Sequence, residues 1–145
     1  MEQKTIQLEI VTQEKKLLSA EVVSVSVTTE LGEVTILPNH IPLFTKLVTG
    51  ELRYLDPTKN KTHYVAISGG FMDVGPDNKI TVLADDALRA DDINEALVEK
   101  AKQEAETALK NKTSKRDFMI AEASLRKALN ELKVYRKRKV QQIPS

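Results

Sequence analysis

The side chains that could carry acid–base, metal or phosphate chemistry are few in this chain. Its 145 residues include two histidines, His40 and His63, and no cysteine. No group of His, Cys and Asp has the spacing of a metal site, and no glycine-rich loop precedes a helix to bind a phosphate. Ser68-Gly69-Gly70 is not a nucleophile elbow, because no helix follows it. We interpret it as a tight turn or bulge with positive φ.

Two pairs of neighbouring carboxylates, Asp85-Asp86 and Asp91-Asp92, have the composition of a general acid–base pair. They flank the junction between two differently composed parts of the chain. An aspartate near a helix N-terminus is favoured by the helix dipole, so capping is the preferred interpretation. A small enzyme that uses His40 or His63 is a third-ranked hypothesis, since neither histidine has convergent partners.

The segment Tyr135–Lys139 is a basic cluster of the kind that binds nucleic acid or anionic lipid. The chain is only 4% aromatic and has no tryptophan, so it offers no stacking platform for bases. We therefore expect a solvated or acid-seeking helix end and no nucleic-acid partner.

The glycine and proline content of the chain changes near Asp85, and this predicts a change in the secondary structure that positions these residues. All five glycines and four of the five prolines precede residue 77, and neither residue occurs between Asp77 and Ile143. We predict an α+β protein, with a β-sandwich over residues 1–86 and a helical hairpin over 87–145. The N-terminus is polar and strand-like, unlike a signal peptide. No apolar run approaches the roughly 20 residues of a membrane span.

Alternation of apolar and polar residues predicts an antiparallel sandwich of about nine to ten short strands. Turn sequences at Asp56–Asn60 and Gly75–Asn78 separate several of them. The predicted strands are Thr5–Val11, Lys16–Leu18, Val23–Val27, Val34–Leu37, Leu43–Val48, Glu51–Leu55, His63–Ile67, Phe71–Val74 and Lys79–Leu83.

Two cap sequences predict the helices. Asp92 with Glu95, and Ser114 with Asp117, have the spacing of a capping box, and Asn111–Ser114 separates the two helices. So short a connection implies an antiparallel pair. The predicted apolar stripes are Ile93, Leu97, Ala101, Ala105 and Leu109 on the first helix, and Phe118, Ala121, Leu125, Ala128, Leu129 and Leu132 on the second.

The predicted helices have opposite charge. Asp91–Lys110 has six acids and three bases, whereas Lys115–Lys139 has three acids and nine bases. The first apolar stripe has only three large side chains, which contribute several kcal/mol at about 1.5–3 kcal/mol each. Weak packing and an exchangeable electrostatic partner suit an arm that changes position. A permanently docked hairpin explains the same pattern, and both interpretations stay open.

The segment Gly32–Leu47 contains two prolines, Pro38 and Pro42, which exclude a central strand there. It presents Ile41, Leu43 and Phe44 near a loop. The residues are compatible both with a loop that closes the core and with a contact surface for another protein.

This segment, GEVTILPNHIPLFTKL, resembles the G-E-x-x-I-x-P-G-H-x-P-L-x-T signature of the epsilon subunit of F-type ATP synthases. AISGGFMDVGPDNKITVLADDALRADDI resembles a second block of that family, V-S-G-G-F-x-E-V…V-T-V-L-A-D-x-A-x-R-x-x-D-I. The likeness covers essentially the whole chain. Asn39 departs from the usual glycine, but asparagine tolerates left-handed backbone better than most residues.

The resemblance implies a non-catalytic subunit of the rotating central stalk of a proton- or ion-driven ATP synthase. Such subunits bind the gamma subunit, touch the c-ring, and couple ring rotation to the catalytic head. Their extended helical hairpin inhibits ATP hydrolysis. At matching positions, the resemblance makes Glu33 and His40 ring-facing residues.

The resemblance also implies that the basic second helix meets an acidic segment of the beta subunit. The candidates for this contact are Lys115, Arg116, Arg126, Lys127, Lys133 and Arg136.

Some family members bind ATP through an Ile-Asp-x-x-Arg-Ala motif at the start of the first helix. This chain has Asn94 in place of the carboxylate and Leu97 in place of the arginine. Glu104 and Glu131 stand where those members have further arginines. We therefore expect weak or no ATP binding, and no cofactor or metal.

Two functions remain. The first is the rotor subunit that regulates hydrolysis, peripheral to the cytoplasmic face of the bacterial inner membrane or, alternatively, the stromal face of the thylakoid. The second is a free-standing, chaperone-like interaction module that binds partner proteins with its hairpin.

Overall fold

The structure is a computed structural model that describes residues 4–111 and 114–141. These residues form two compact units, one ending at Leu88 and the next beginning at Arg89. The first contains β-strands and the second contains two long helices, which confirms the predicted α+β class.

The described residues contain eight strands in one sheet, with the order β2-β1-β7-β6-β5-β3-β4 and β8 paired to β6. β2 also contacts β5, which is not its neighbour in the sheet. The sheet therefore folds over on itself as a sandwich. The strands are β1 (Ile6–Val11), β2 (Lys16–Val22), β3 (Ser24–Thr29), β4 (Gly32–Ile36), β5 (Leu43–Asp56), β6 (Lys61–Val74), β7 (Lys79–Ala84) and β8 (Ala87–Arg89).

One pairing differs from the expected antiparallel pattern. β1 lies parallel to β7, from Gln7 opposite Lys79 to Val11 opposite Leu83. The pairings β1–β2, β3–β4, β3–β5, β5–β6 and β6–β7 are antiparallel. Alternation assigns a side chain to a face of a strand but does not identify the neighbouring strand, so the sequence pattern did not reveal this mixed sheet.

The core follows the predicted alternation. Ile6, Leu8 and Ile10 of β1 are almost fully buried, while the residues between them are half-buried. Val25 and Val27 of β3 are buried in the same cluster. Ser26, between them, is also buried, and its hydroxyl is 2.8 Å from that of Thr35. The hydrogen bond satisfies polar groups whose unpaired burial would be costly.

β5 and β6 each replace two predicted strands, because the glycines inside them do not end them. Gly50 lies within β5 where the chain passes close to Thr28, and a Cβ there would be 2.7 Å from the Thr28 side chain. Gly69 and Gly70 have the expected positive φ, at 90° and 133°, but lie inside β6. Here glycine permits close packing of a continuous strand.

Both predicted turns are present. Asp56–Asn60 connects β5 to β6, and the Asp56 carboxylate accepts hydrogen bonds from the backbone and hydroxyl of Thr58. These bonds lower the pKa of Asp56. Gly75–Asn78 connects β6 to β7, with Asp77 and Asn78 in the left-handed region.

The helices are α1 (Glu95–Lys110) and α2 (Lys115–Gln141). The predicted cap at Asp92 is wrong, because Ala90–Asp92 forms a 3-10 turn and Asn94 caps α1. The Asn94 side chain accepts a hydrogen bond from the Leu97 amide at 3.2 Å. At α2, the Ser114 hydroxyl accepts one from the Asp117 amide at 3.0 Å, as predicted. Of the predicted connection Asn111–Ser114, residues 112 and 113 lie outside the described part.

The apolar stripes are partly different from the prediction. On α1 the buried residues are Val98 and Ala105, whereas Leu97 is 64% exposed. Ile93 is buried but precedes the helix, so it does not share the helical phase that the prediction gave it. On α2 the prediction is right for Ala121, Ala128 and Leu132 and wrong for the exposed Leu129, and Val134 is an unpredicted buried residue.

Ion pairs join the 3-10 turn and the beginning of α1 to the end of α2. Arg138 pairs with Asp91, and a guanidinium nitrogen of Arg136 lies 3.8 Å from the Glu99 carboxylate. These pairs confirm that the helices are antiparallel. Towards the turn, small side chains leave an open groove of about 560 Å³, bordered by Ala101, Ala108 and Ser124. The helices are therefore thinly packed there.

Candidate interaction surfaces

The two histidines lie at opposite ends of β6. His63 is near its beginning, with its ring stacked on Tyr54 and its Nε2 atom 3.6 Å from the Asp56 carboxylate. His40 lies in the loop between β4 and β5, beside the turn that follows β6. The structure does not bring them together, so it provides no two-histidine site.

Residues of both carboxylate pairs make structural contacts, those of Asp85 and Asp86 through the backbone. The Asp85 amide donates a hydrogen bond to the Gly69 carbonyl at 3.0 Å, and the Asp86 carbonyl accepts one from the Ser68 amide at 2.9 Å. These bonds attach the segment that leads into β8 to strand β6. Asp91 pairs with Arg138.

Among residues 4–111 and 114–141, no three His, Cys, Asp or Glu side chains are grouped closely enough to bind a metal ion. The same described residues include no helix with the length and hydropathy needed to cross a membrane.

The His40 loop is connected to the β6–β7 turn through two asparagines. Asn39 has φ 67°, so it adopts the left-handed conformation. It stands at the position where the epsilon-subunit signature has glycine. Its backbone amide donates to the Asn78 side-chain oxygen, and the Asn78 amide donates back to the Asn39 side chain at 3.3 Å. His40 is half-buried, and its Nδ1 atom is 2.7 Å from the Ile41 carbonyl oxygen. Since a carbonyl only accepts, Nδ1 carries the proton.

We expect Asn39→Ala to destabilise the fold by about 1–2 kcal/mol more than Asn39→Gly, because alanine is strained at this φ. Both changes remove the Asn39 side chain, so the comparison isolates the backbone conformation. Urea unfolding followed by circular dichroism measures the difference. Equal stability of the two variants would show that the left-handed backbone does not constrain this position.

Glu33 lies on the exposed side of β4 and forms an ion pair with Arg53 of β5. Arg53 also donates a hydrogen bond to Glu51 at 3.1 Å. Burial opposes the charged form of Arg53, but the hydrogen bonds and charges of Glu51 and Glu33 outweigh it and raise its pKa. The carboxylate of Glu33 is therefore paired with a permanent cation on the surface of the sheet.

Three adjacent strands form an apolar patch, consisting of Phe44, Phe71 and Leu83. The rings of Phe44 and Phe71 are stacked with centroids 5.5 Å apart, and Leu83 is the cross-strand partner of Phe71. Their side chains are 64%, 43% and 50% exposed, respectively. Exposed apolar clusters of this kind are typical of protein-binding surfaces.

The sequence analysis identified only part of this patch. It proposed Ile41, Leu43 and Phe44, of which Ile41 and Phe44 are exposed and Leu43 packs against the core. Phe71 and Leu83 were missed. The signal was present, because each lies between buried residues of its strand and so belongs to the outer face.

The basic candidates on α2 fall into two groups. Lys115, Arg116, Arg126, Lys133 and Arg136 are exposed, whereas Lys127 is half-buried. Arg126 pairs with Glu122 one turn away at 3.1 Å, and Arg136 faces Glu99 of α1. These side chains do not gather at one point but lie along the whole helix.

The residues at the positions of the family's ATP-binding motif have other roles in this structure. Asn94 caps α1, and Leu97 is exposed. Glu104 and Asp117 border the groove between the helices, and Glu131 is half-buried. Carboxylates beside a groove disfavour a phosphate group through like-charge repulsion.

Two family models match the chain in succession. The model described as "ATP synthase, Delta/Epsilon chain, beta-sandwich domain" matches residues 5–90, and the one described as "ATP synthase, Delta/Epsilon chain, long alpha-helix domain" matches residues 91–136. Together they include both structural units.

Relatives over the whole chain carry the same description. The chain is 47% identical over 137 residues to the ATP synthase epsilon chain of Herpetosiphon aurantiacus, covering 94% of this chain and 98% of the relative. It is 41% identical over 138 residues to that of Laribacter hongkongensis, with the same coverages of 94% and 98%. A chain in a Euglena gracilis mitochondrial ATP synthase structure (OSCP/F1/c-ring) has a similar fold, with TM-score 0.71, 20% identity, and coverage of 96% and 82%.

Proposed function

Because the chain belongs to the family of ATP synthase epsilon chains, we propose that it is a non-catalytic central-stalk subunit of a proton- or ion-driven ATP synthase. In this role it couples rotation of the c-ring to the catalytic head, and its C-terminal helices inhibit ATP hydrolysis. The observation that carries the proposal is the pair of consecutive family matches, which include the sandwich and the hairpin together.

The family matches favour this role over the free-standing, chaperone-like module. A rotor subunit co-purifies in fixed stoichiometry with a membrane ATPase, whereas a client-binding module does not. We expect fixed stoichiometry when this chain is affinity-purified from its native membranes. Recovery of a varied set of unrelated proteins without the ATPase would favour the alternative.

We assign the two units different roles in this proposal. Residues 1–86 form the docking part, and residues 87–145 form the regulatory arm. The separate core of the first unit supports this division, since the apolar cluster extends from Ile6 to Ala84 and includes no helical residue. The docking part therefore does not depend on the helices for its core.

Glu33 and His40 are the proposed contacts with the polar loops of the c-ring. Glu33 is exposed and ordered by Arg53, and His40 is positioned by a loop fixed through Asn39 and Asn78. An ordered polar surface loses little conformational entropy when it binds. We assign these residues to an interface, since no catalytic partner faces His40 among the contacts described above.

The patch of Phe44, Phe71 and Leu83 is the proposed docking surface for the gamma subunit. Stacked aromatic side chains are typical anchors of protein interfaces. Burial of the exposed halves of two phenylalanines contributes about 2–3 kcal/mol in total. The beta subunit is the proposed partner of the basic helix, because that helix carries nine bases against three acids between Lys115 and Lys139.

We expect the double substitution Phe44→Ser and Phe71→Ser to weaken binding to purified gamma subunit by roughly 30- to 150-fold. Isothermal titration calorimetry measures the affinity, and circular dichroism establishes that the variant is folded. Leu97→Ser is the control, because Leu97 is as exposed as Phe44 but lies on α1. Unchanged affinity in the folded double variant would exclude the patch as the gamma-binding surface.

The proposed location is the cytoplasmic face of the bacterial inner membrane, where the chain is held by gamma and the c-ring. The two bacterial relatives support this choice over the stromal face of the thylakoid.

A further inference from the structure

The open end of the hairpin, opposite its connecting turn, is held together by charged side chains. The Nε atom of Arg138 donates a hydrogen bond to the Asp91 carboxylate, although the two residues are 47 positions apart in the chain. Asp91 belongs to the 3-10 turn that precedes α1, and Arg138 belongs to the last turn of α2. We call this ion pair the latch. A second, looser pair joins Arg136 to Glu99 at 3.8 Å.

The latch differs from ion pairs that lie within a single helix. Arg126 and Glu122, for example, are one turn apart on α2 and pair at 3.1 Å. Such a pair stabilises its own helix and stays intact when the two helices separate. The latch is lost as soon as the end of α2 leaves the 3-10 turn. Its favourable free energy therefore belongs to the closed hairpin alone.

The apolar contact between the helices is too thin to make the latch irrelevant. The buried residues of α1 are Val98 and Ala105, and towards the turn the helices leave the open groove of about 560 Å³. Small side chains bury little apolar area and contribute correspondingly little to the closed state. An exposed ion pair shifts an equilibrium by only a few-fold. That is a substantial share where the competing contribution is small.

The position of the latch gives it control over the whole of α2. The second compact unit begins at Arg89, so Asp91 lies at the start of the arm. The helices stay connected through their turn, and separation of the pair must therefore be greatest at the open end. Contacts near the turn can break without releasing the end of α2, whereas loss of the latch frees that end directly.

We propose that the Asp91–Arg138 latch holds the hairpin closed, and that its opening releases α2 into the extended, inhibitory position. This inference rests on the proposed regulatory function and names what regulates the arm. It concerns what keeps the arm closed and not what the arm binds when open. The side chains of Arg138 and Asp91 are 29% and 46% exposed, so salt screens their attraction and favours opening.

The first measurement is the distance between the helices in the full chain. Because the chain has no cysteine, nitroxide labels can be attached at Gln103→Cys and Leu129→Cys, two exposed neutral positions on α1 and α2. Electron–electron double resonance then reports the open fraction. We expect Asp91→Asn to raise this fraction about threefold at low salt. Glu122→Gln is the control, because it removes an exposed carboxylate from an ion pair within one helix, and we expect no change.

Two further comparisons establish that Asp91 acts through Arg138. We expect Arg138→Gln to open the hairpin as much as Asp91→Asn, and the double variant to open it no further than either single variant. We also expect 1 M salt to raise the open fraction of the unsubstituted chain more than that of Asp91→Asn. Additive effects, or an equal response to salt, would overturn the latch. Circular dichroism establishes that each variant keeps its helices.

The second measurement is inhibition of ATP hydrolysis by the ATP synthase complex depleted of this subunit. Asp91→Asn leaves every charge of α2 in place. The apparent affinity of an inhibitor is proportional to the fraction in the competent state, so the half-inhibitory concentration falls by the same factor of about three. Asp92→Asn is the matched control, since it makes the same change at the next residue of the turn. We expect it to change inhibition less than about twofold.

The outcomes separate the latch from the regulatory function. If Asp91→Asn changes neither the distance nor the inhibition, the latch is overturned. If it opens the hairpin but neither it nor the unsubstituted chain inhibits hydrolysis, the latch is supported and the proposed regulatory function fails. If it opens the hairpin and weakens inhibition, the closed hairpin is the inhibitory form, and the proposed direction of control is overturned.

Discussion

ATP hydrolysis by the assembled complex rises about sixfold when the chain is ended after Asp92, if the inhibitory position of the arm is favoured by about 1 kcal/mol. The truncated chain still joins the complex, because every strand ends at or before Arg89. Its core is complete, since the apolar cluster contains only residues from Ile6 to Ala84. The lost residues include both α1 and α2.

The measurement is the steady-state hydrolysis rate of complexes reconstituted with the full or truncated chain, at equal subunit content. Gel analysis of the purified complex establishes that the truncated chain is incorporated. An unchanged rate with full incorporation would remove the regulatory part of the proposed function and leave the docking part intact.

The second large effect is expected from Gly70→Ala in the middle of the sheet. Gly70 is buried in β6, paired with Leu47 of β5 and Ala84 of β7. A Cβ at this position would be 2.2 Å from the Leu83 carbonyl oxygen. The clash is with backbone, so the strands must separate, and the φ of 133° is strained for alanine. We expect a loss of about 2–6 kcal/mol in the free energy of unfolding.

Gly75→Ala is the matched control for this change. Gly75 lies in the next turn, and the nearest atom to its added Cβ would be 3.6 Å away, an ordinary contact. We expect its free energy of unfolding to change by less than about 1 kcal/mol. Urea denaturation of both variants measures the difference. Similar stability of the two alanine variants would contradict the close approach of β6 and β7.

The strands were predictable where one face of the sheet is buried. Ile6, Leu8 and Ile10 alternate in sequence as they do in burial, because side chains of a strand point to opposite faces. The strand ends were less predictable. Gly50 and Gly69-Gly70 suggested breaks, yet each lies inside a long strand, since a glycine that permits close approach looks the same in sequence as one that ends a strand.

The beginning of α1 shows a similar limit. Asp92 and Asn94 both have side chains that cap helices, and the choice between them depends on the 3-10 turn that occupies Ala90–Asp92. The helix therefore begins two residues later than predicted. Val98 is buried and Leu97 is exposed, whereas the predicted stripe contained Leu97.

The candidate surfaces were found from different sources. Glu33 and His40 came from the family resemblance and not from their chemistry, and their contacts with the c-ring stay a prediction. To predict Phe71 and Leu83, one must know which residues of β6 and β7 point to the outer face of the sheet. The side of α2 that stays exposed depends on which side the hairpin buries, and the sequence pattern assigned Leu129 to the wrong side.

The parallel pairing of β1 with β7 has a consequence for synthesis on the ribosome. Gln7 pairs with Lys79, a separation of 72 residues along the chain. The first strand can form its hairpin with β2 early, but its other edge waits until β7 has emerged from the exit tunnel. Contacts between such distant segments slow folding. The nascent sandwich thus exposes an unpaired edge during most of its translation, a period in which it is vulnerable to aggregation.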